Sequence, residues 1–213
     1  MDKPFNNKIS AVIWDMGGIL YHFFTEILVE KAAAKGWPLD KLPLGPTGTI
    51  QDPHYLALDR GEIKEPEYIR RLVKELWQQG INYIPYDDPE LVPPPMREDI
   101  WLIINKIKSC GIRQIILTND ATNWLGEKWW ETWPHMPLFE AVLDVKNIGF
   151  AKPLSEAYIA CLNELNLPPE ECIFIDDMHV NCSGAEAVGM HSYWLDISNP
   201  QDAIAGLEAY LNI

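Results

Sequence analysis

The stretch Ser10-Ala11-Val12-Ile13-Trp14-Asp15-Met16-Gly17-Gly18 decides the fold of this chain. A short apolar run, partly β-branched, ends at Asp15, and the glycine pair that follows is typical of a tight turn. This pattern predicts a buried strand whose carboxyl end presents an acidic side chain in a loop.

Two further apolar runs end in polar residues in the same way. Ile115-Ile116-Leu117 leads into Thr118-Asn119-Asp120, and Cys172-Ile173-Phe174-Ile175 leads into Asp176-Asp177. Segments with helical spacing separate these runs, and strands that alternate with helices predict an α/β fold with a Rossmann-like parallel sheet covered by helices. Further strands are predicted at 141–143 and 191–195, and further helices at 100–107, 124–133, 158–165, 185–188 and 203–211.

An inserted helical unit is predicted between the first and second strands. Helical spacing covers 25–35 and returns at 69–76, with an irregular segment rich in Pro, Gly and Thr over 36–52 between them. Pro93-Pro94-Pro95 then interrupts the chain. We therefore predict a core domain of 1–21 and 93–213, with a small α-helical cap domain of 22–92.

The composition excludes several classes of protein. The 213 residues carry a net charge of -14, with 47% apolar residues, so we expect neither a nucleic-acid partner nor a membrane. No apolar run approaches the length of a membrane span, and the first eight residues lack the pattern of a signal peptide. The four cysteines form no CxxC pair, as expected of reduced thiols in a cytoplasmic protein.

The polar residues at the strand ends suit phosphoryl transfer. Asp15, Thr118 and Asp176-Asp177 are predicted at one edge of the sheet, where parallel α/β sheets bind their ligands. Lys152 lies in a loop, Gly149–Pro153, that opens a helix. A carboxylate nucleophile, acidic metal ligands, a hydroxyl and a lysine are the groups that this chemistry needs.

Four motifs in this order resemble the signatures of the haloacid dehalogenase (HAD) superfamily. They are Ile13-Trp14-Asp15-Met16-Gly17-Gly18, Leu117-Thr118-Asn119, Ala151-Lys152-Pro153, and Phe174-Ile175-Asp176-Asp177 with Asn181. The resemblance covers nearly the whole chain. It implies a hydrolase of the phosphatase-like branch that has the DxGG first motif and a helical cap of the C1 type.

The resemblance also implies the role of each residue. Asp15 would be the nucleophile that forms an aspartyl-phosphate, and Mg²⁺ would be held by Asp15, the Gly17 carbonyl, Asp176 and Asp177. Thr118 and Lys152 would act with Asp15 in catalysis, with Lys152 neutralising charge. The substrate would be bound by Gly17, Gly18, Asn119 and His22. Asn181 stands where many relatives carry a second acid and is expected to orient the motif by hydrogen bonding.

Gly17 departs from the pattern of the superfamily's phosphatases, which usually carry a second Asp at this position as general acid and base. The absence of this second Asp removes a contribution of about 10²–10⁴-fold in rate. We therefore expect a substrate with a good leaving group, such as an anomeric sugar phosphate, or another proton donor. His22 is the nearest candidate donor, although a structural role for it is the simpler interpretation.

Three functions compete. The first is a Mg²⁺-dependent phosphomonoester hydrolase that acts on a small phosphorylated metabolite, with a sugar phosphate favoured. The second is a non-catalytic or regulatory protein that binds a phosphate ligand. The third is a 2-haloacid dehalogenase, which attacks carbon and needs no Mg²⁺.

Four tryptophans crowd the segment 124–133, at Trp124, Trp129, Trp130 and Trp133. They indicate packing against the sheet or a dimer interface, and a ring-stacking platform beside the site is the alternative. The expected oligomeric state is a monomer or a homodimer.

Overall fold

A five-stranded parallel sheet forms the centre of the computed structural model, which describes residues 9–91 and 94–213. The strand order is β3-β2-β1-β4-β5. The strands are β1 (Ala11–Trp14), β2 (Arg113–Thr118), β3 (Val142–Asp144), β4 (Cys172–Asp176) and β5 (His191–Trp194). The predicted α/β fold with a parallel sheet is confirmed, and each predicted strand lies within two residues of its observed bounds.

The strand order places the residue after β1 at the centre of the sheet's carboxyl edge. Trp14 pairs with Ile116 of β2 on one side and with Ile175 of β4 on the other. The backbone N–H of Asp15 continues this ladder by donating to the Ile175 carbonyl at 3.0 Å. Asp15 therefore lies between the ends of the two strands that deliver Thr118 and Asp176.

Helices connect the strands. In chain order they are α1 (Phe24–Ala34), α2 (Pro53–Asp59), α3 (Glu65–Gln78), α4 (Glu98–Ser109), α5 (Ala121–Leu125), α6 (Val145–Ile148), α7 (Ser155–Leu165), α8 (His179–Ala187) and α9 (Pro200–Leu211). Tyr158 and Cys161 of α7 pack in one buried cluster with Ile13, Leu117 and Phe174 of the sheet. Among the residues that the structure describes, no helix combines the length and apolar character needed to cross a bilayer.

The chain divides into two compact units, an inserted unit of Tyr21–Met96 and a core unit formed by the sequence before and after it. The residues predicted as a cap, 22–92, fall within the inserted unit. Val92 and Pro93, where the predicted boundary lies, are outside the described residues. The role of the inserted unit as a cap stays a prediction.

A buried carboxylate organises the inserted unit. Asp52 is the N-cap of α2, and its Oδ1 accepts from the backbone N–H groups of His54 and Tyr55 at 2.8 and 3.0 Å. Its Oδ2 accepts from the Gly45 N–H and the Tyr68 hydroxyl, each at 2.9 Å. One side chain thereby ties a loop, α2 and α3 together.

The helix predicted over 124–133 is wrong for most of its length. The helix α5 ends at Leu125 because Gly126 has a φ of +88°, and a short 3-10 turn follows at Trp129–Glu131. The ring of Trp133 lies 5.7 Å from that of Trp101 and 5.6 Å from that of Phe139. These contacts are those of side chains that pack a helix and a loop together.

Candidate active site

The ammonium group of Lys152 joins two carboxylates at the carboxyl edge of the sheet. Its Nζ lies 2.5 Å from Oδ1 of Asp15 and 2.9 Å from Oδ2 of Asp176, and all three side chains are buried. The two acids come from adjacent strands, and the lysine comes from the loop before α7. The arrangement brings together the predicted nucleophile, the predicted cation and one predicted metal ligand.

Asp177 completes a cluster of three carboxylates. One oxygen each from Asp15, Asp176 and Asp177 lies within 4.8 Å of the other two. Burial raises the pKa of Asp15 to about 7, although Lys152 opposes this shift. Burial, together with the charges of Asp176 and Asp15, raises the pKa of Asp177 well above its usual value.

This donor set fits a divalent cation with hard-ligand preference. Three carboxylates and one ammonium group leave two negative charges in excess when all four groups are ionised. Buried like charges are costly unless a cation compensates them. Carboxylate oxygens that converge within a few ångströms are ligands that Mg²⁺ binds, so Asp15, Asp176 and Asp177 are suited to hold it.

Asp176 is oriented by the first turn of α8. Its Oδ1 accepts from the Met178 N–H at 2.8 Å, and the Asn181 side-chain amide lies 3.1 Å from both carboxylate oxygens. The Tyr158 hydroxyl donates to the Asn181 carbonyl at 2.7 Å. The predicted hydrogen-bonding role of Asn181 is confirmed.

The glycine pair after β1 fits closely against the acidic cluster. Gly18 has a φ of +79°, and a Cβ atom built on it would lie 2.5 Å from Oδ2 of Asp177. The Gly18 carbonyl accepts from Nε of the buried Arg97 at 3.2 Å. Gly17, in contrast, is exposed, and a Cβ atom there would meet nothing within 4 Å.

Asn119 holds the loop that carries Lys152. Its side-chain Nδ2 donates to the Lys152 carbonyl at 3.1 Å, and its Oδ1 accepts from the Lys152 N–H at 2.8 Å. This side chain is therefore used to position Lys152, and a contact of Asn119 with phosphoryl oxygens stays a prediction that concerns its backbone amide. Thr118 ends β2 and is buried beside the site.

His22 belongs to the inserted unit. Its Nδ1 lies 3.1 Å from Oε1 of Glu26, which is four residues later in the first turn of α1. This contact supports the structural interpretation of His22. A part for it in substrate binding or proton transfer stays a prediction.

Sequence reasoning missed Arg97 and Trp194 as neighbours of the site. Trp194 is the last residue of β5, and its indole Nε1 donates to the Asp177 backbone carbonyl at 2.7 Å. The strand predicted over 191–195 placed Trp194 near a strand end, where ligand sites lie, but not at its last residue. No sequence signal marks Arg97, because its contact depends on how the turn at Gly18 folds.

A parallel α/β sheet with a lysine and three carboxylates at its carboxyl edge is the arrangement that the four sequence motifs implied for a hydrolase. The protein-family model for haloacid dehalogenase-like hydrolases matches residues 9–189. The chain belongs to the haloacid dehalogenase-like hydrolase family.

One relative by sequence is acyl-CoA dehydrogenase family member 10 of the mouse. It is 27% identical over 222 residues, which cover 94% of this chain and 19% of that protein. This chain therefore spans about a fifth of the length of that relative.

Solved structures share the fold. The HAD hydrolase YfnB from Bacillus subtilis, in a form bound to magnesium, has a TM-score of 0.67 at 16% identity, over 97% of this chain and 100% of that one. The L-2-haloacid dehalogenase RSc1362 has a TM-score of 0.56 at 19% identity, over 89% and 87% of the two chains. At these identities the likeness concerns the fold alone.

Proposed function

We propose that this protein is a Mg²⁺-dependent phosphomonoester hydrolase that acts on a small phosphorylated metabolite through an aspartyl-phosphate on Asp15. The observation that carries the proposal is the contact of the Lys152 ammonium group with Asp15 and Asp176 within a buried cluster of three carboxylates. A nucleophilic carboxylate beside a fixed cation and a metal-binding set is what phosphoryl transfer requires.

In the first half-reaction, the Asp15 carboxylate attacks phosphorus. Lys152 engages Oδ1 of Asp15, so Oδ2 is the oxygen that forms the new bond. The phosphorus–ester oxygen bond breaks, and the leaving oxygen takes its proton from solvent, since the exposed Gly17 offers none. Lys152 and the Thr118 hydroxyl offset the negative charge on the phosphoryl oxygens as the ester oxygen departs.

In the second half-reaction, water attacks the phosphorus of the aspartyl-phosphate. The bond from Asp15 to phosphorus breaks, inorganic phosphate leaves, and the Asp15 carboxylate is restored. Asp15, Asp176, Asp177 and the Gly17 carbonyl would hold Mg²⁺, which supplies charge compensation for the phosphoryl oxygens. Asn181 keeps Asp176 in place throughout, because its amide contacts both carboxylate oxygens.

The favoured substrate class follows from the absence of an acidic side chain at position 17. Without an acid there, an ester whose alcohol leaves readily is hydrolysed faster than a simple alkyl ester. An anomeric sugar phosphate has such a leaving group and is the favoured substrate. The B. subtilis relative bound to magnesium supports the choice of metal.

The net charge of -14 supports a small-molecule partner, with no nucleic acid or membrane partner. We also propose a cytoplasmic location and either a monomer or a homodimer.

The experiment that tests the proposal is a rapid acid quench of the wild-type protein with a phosphate-labelled sugar 1-phosphate and Mg²⁺. We expect labelled protein that loses its label at neutral pH, and a labelled peptide that contains Asp15. Asp15→Asn and chelator-treated wild-type protein are the controls, and neither should be labelled. Hydrolysis that proceeds without a labelled protein intermediate would contradict the role of Asp15.

Gly17 also supports the non-catalytic alternative, in which the site binds a phosphate ligand without turnover. Binding of inorganic phosphate with Mg²⁺, without hydrolysis of any ester, would favour it. The dehalogenase alternative predicts halide release from L-2-chloropropionate that survives a chelator. Three acidic side chains beside a single lysine leave an excess of negative charge, and a reaction that needs no metal would not offset it, which argues against that chemistry.

A further inference from the structure

Two aromatic side chains form a stacked pair next to the acidic cluster. The imidazole ring of His179, the first residue of α8, lies with its centroid 4.1 Å from that of the Trp194 indole, and the ring planes are 26° apart. Both side chains belong to the core unit. They join the beginning of the helix after β4 to the end of β5.

The pair is fixed to a residue of the active site. The Trp194 indole N–H donates to the backbone carbonyl of Asp177, the residue whose carboxylate completes the acidic cluster. The carbonyl oxygen and the carboxylate of one aspartate lie within about 5 Å of each other by covalent geometry. The indole therefore lies within the reach of a substrate whose phosphate is held at the cluster.

The pair remains open to solvent although the groups beside it are buried. Trp194 is 39% exposed and His179 is also exposed, whereas Asp176 and Asp177 are almost completely buried. Trp14 of the central strand β1, in contrast, is completely buried. An indole held by a hydrogen bond, with part of its surface exposed, is instead suited to contact a ligand.

We infer that His179 and Trp194 form a ring-binding subsite that recognises the leaving group of the phosphoester. The inference rests on the proposed phosphatase function and narrows its substrate to esters whose alcohol carries a ring, either a sugar or an aromatic ring. A flat apolar ring face stacks on the pair while the phosphate lies at Asp15 and Lys152. In the tryptophan-rich segment 124–133, the ring of Trp129 packs against those of Trp130 and Trp133, at 5.9 and 5.3 Å.

The kinetic test compares benzyl phosphate with ethyl phosphate, since both release a primary alcohol and only one carries a ring. The measured quantity is the ratio of kcat/KM for the two esters. We expect His179→Ala and Trp194→Leu to lower this ratio about 3- to 10-fold, the value of one aromatic contact. Trp194→Phe keeps a ring but loses the bond to Asp177, so both esters should slow together.

Trp130→Leu is the matched control, because Trp130 is a partly exposed tryptophan of the same unit that contacts Trp129. It should leave the ratio as in the wild-type protein. An unchanged ratio in both His179→Ala and Trp194→Leu would overturn the inference.

A second readout does not depend on turnover. In Asp15→Asn protein with Mg²⁺, the indole N–H resonance of Trp194 is identified by its loss in Trp194→Phe, and the two esters are titrated. We expect benzyl phosphate to shift this resonance and ethyl phosphate to leave it in place. Equal shifts, or none with either ester, would overturn the inference.

The two readouts separate the inference from the function beneath it. A ring-dependent shift without hydrolysis by the wild-type protein would leave the subsite standing and refute the phosphatase. Hydrolysis of both esters without any ring dependence would refute the subsite and leave the phosphatase function standing.

Discussion

Gly18 and Asp177 interlock: a Cβ atom built on Gly18 would lie 2.5 Å from Oδ2 of Asp177. The loop after β1 and the loop after β4 therefore meet without space for one methyl group. The φ of +79° at Gly18 also requires glycine at this position, since residues with a Cβ rarely adopt that backbone conformation. The absence of a side chain at this position is what allows Asp177 to join the acidic cluster.

Gly18→Ala should reduce Mg²⁺-dependent turnover at least tenfold. The strain of a positive φ costs about 1–2 kcal/mol, and the methyl group displaces Asp177 from the cluster. Gly17→Ala is the matched control, because a Cβ atom there meets nothing within 4 Å and the φ is not positive. Phosphate release as a function of Mg²⁺ concentration measures both variants. Equal effects of the two substitutions would refute the interlock.

Gly17→Asp should raise turnover of esters that have poor leaving groups. The exposed Cβ position leaves room for a carboxyl group, which would return a general acid to the place where phosphatases of this family carry one. We expect an increase of about 10²–10⁴-fold for an alkyl phosphate and a much smaller one for a sugar 1-phosphate. The measurement is kcat on both substrates. An equal gain on both, or none, would show that proton donation does not limit the wild-type protein.

Asn181→Asp should make the stability of the protein depend more strongly on Mg²⁺. The Asn181 amide contacts both oxygens of Asp176 at 3.1 Å, so the substitution replaces two attractive contacts by a repulsion between buried carboxylates. We expect a loss of about 1–3 kcal/mol in the free energy of unfolding without metal. Asn181→Leu removes the contacts without adding charge. Mg²⁺ should therefore recover more stability in Asn181→Asp, and thermal unfolding with and without metal tests this difference.

The predictability of the fold and of the site differed for physical reasons. The apolar runs that end at Asp15, Thr118 and Asp176 predicted the three central strands, because a strand buried on both faces must be apolar throughout. The same runs placed the chemistry at one edge of the sheet. The prediction of a helix over 124–133 was wrong because the positive φ of Gly126 ends the helix despite the apolar spacing around it.

Contacts within the site could not be read from the sequence, since they depend on side-chain geometry between distant segments. The position of Lys152 was predicted, but its support by the Asn119 side chain was not. The short helix α2 was also missed, because Pro53 at its start lies next to a segment that is rich in loop-forming residues.

Mg²⁺ should bind more tightly as the pH rises from about 5 to 7, and binding should release protons. Burial holds the pKa of Asp15 at about 7 and raises that of Asp177, so below neutral pH the metal must displace protons from these acids. For each proton displaced, affinity increases about tenfold per pH unit. Calorimetry in buffers of different ionisation enthalpy counts these protons, and Asp15→Asn should release one fewer. A pH-independent affinity would contradict the assignment.

The free energy of unfolding of the metal-free protein should instead fall as the pH rises. A carboxyl group whose pKa is raised in the folded state binds its proton more tightly there than in the unfolded chain. Its contribution to stability is therefore complete below the usual pKa of 3.8 and is lost as the pH rises through about 7. Urea unfolding at pH 5 and pH 7.5 measures the change, which should be smaller in Asp15→Asn. Equal pH dependence in both proteins would show that Asp15 does not titrate in this range.

The most direct test of the central claim is phosphate release by the purified protein from a panel of phosphomonoesters, with and without Mg²⁺, beside Asp15→Asn. Our account predicts turnover that requires the metal, is fastest on sugar 1-phosphates, and disappears in the variant. A folded wild-type protein that binds Mg²⁺ and hydrolyses none of the esters, or an Asp15→Asn variant that retains the activity, would contradict it.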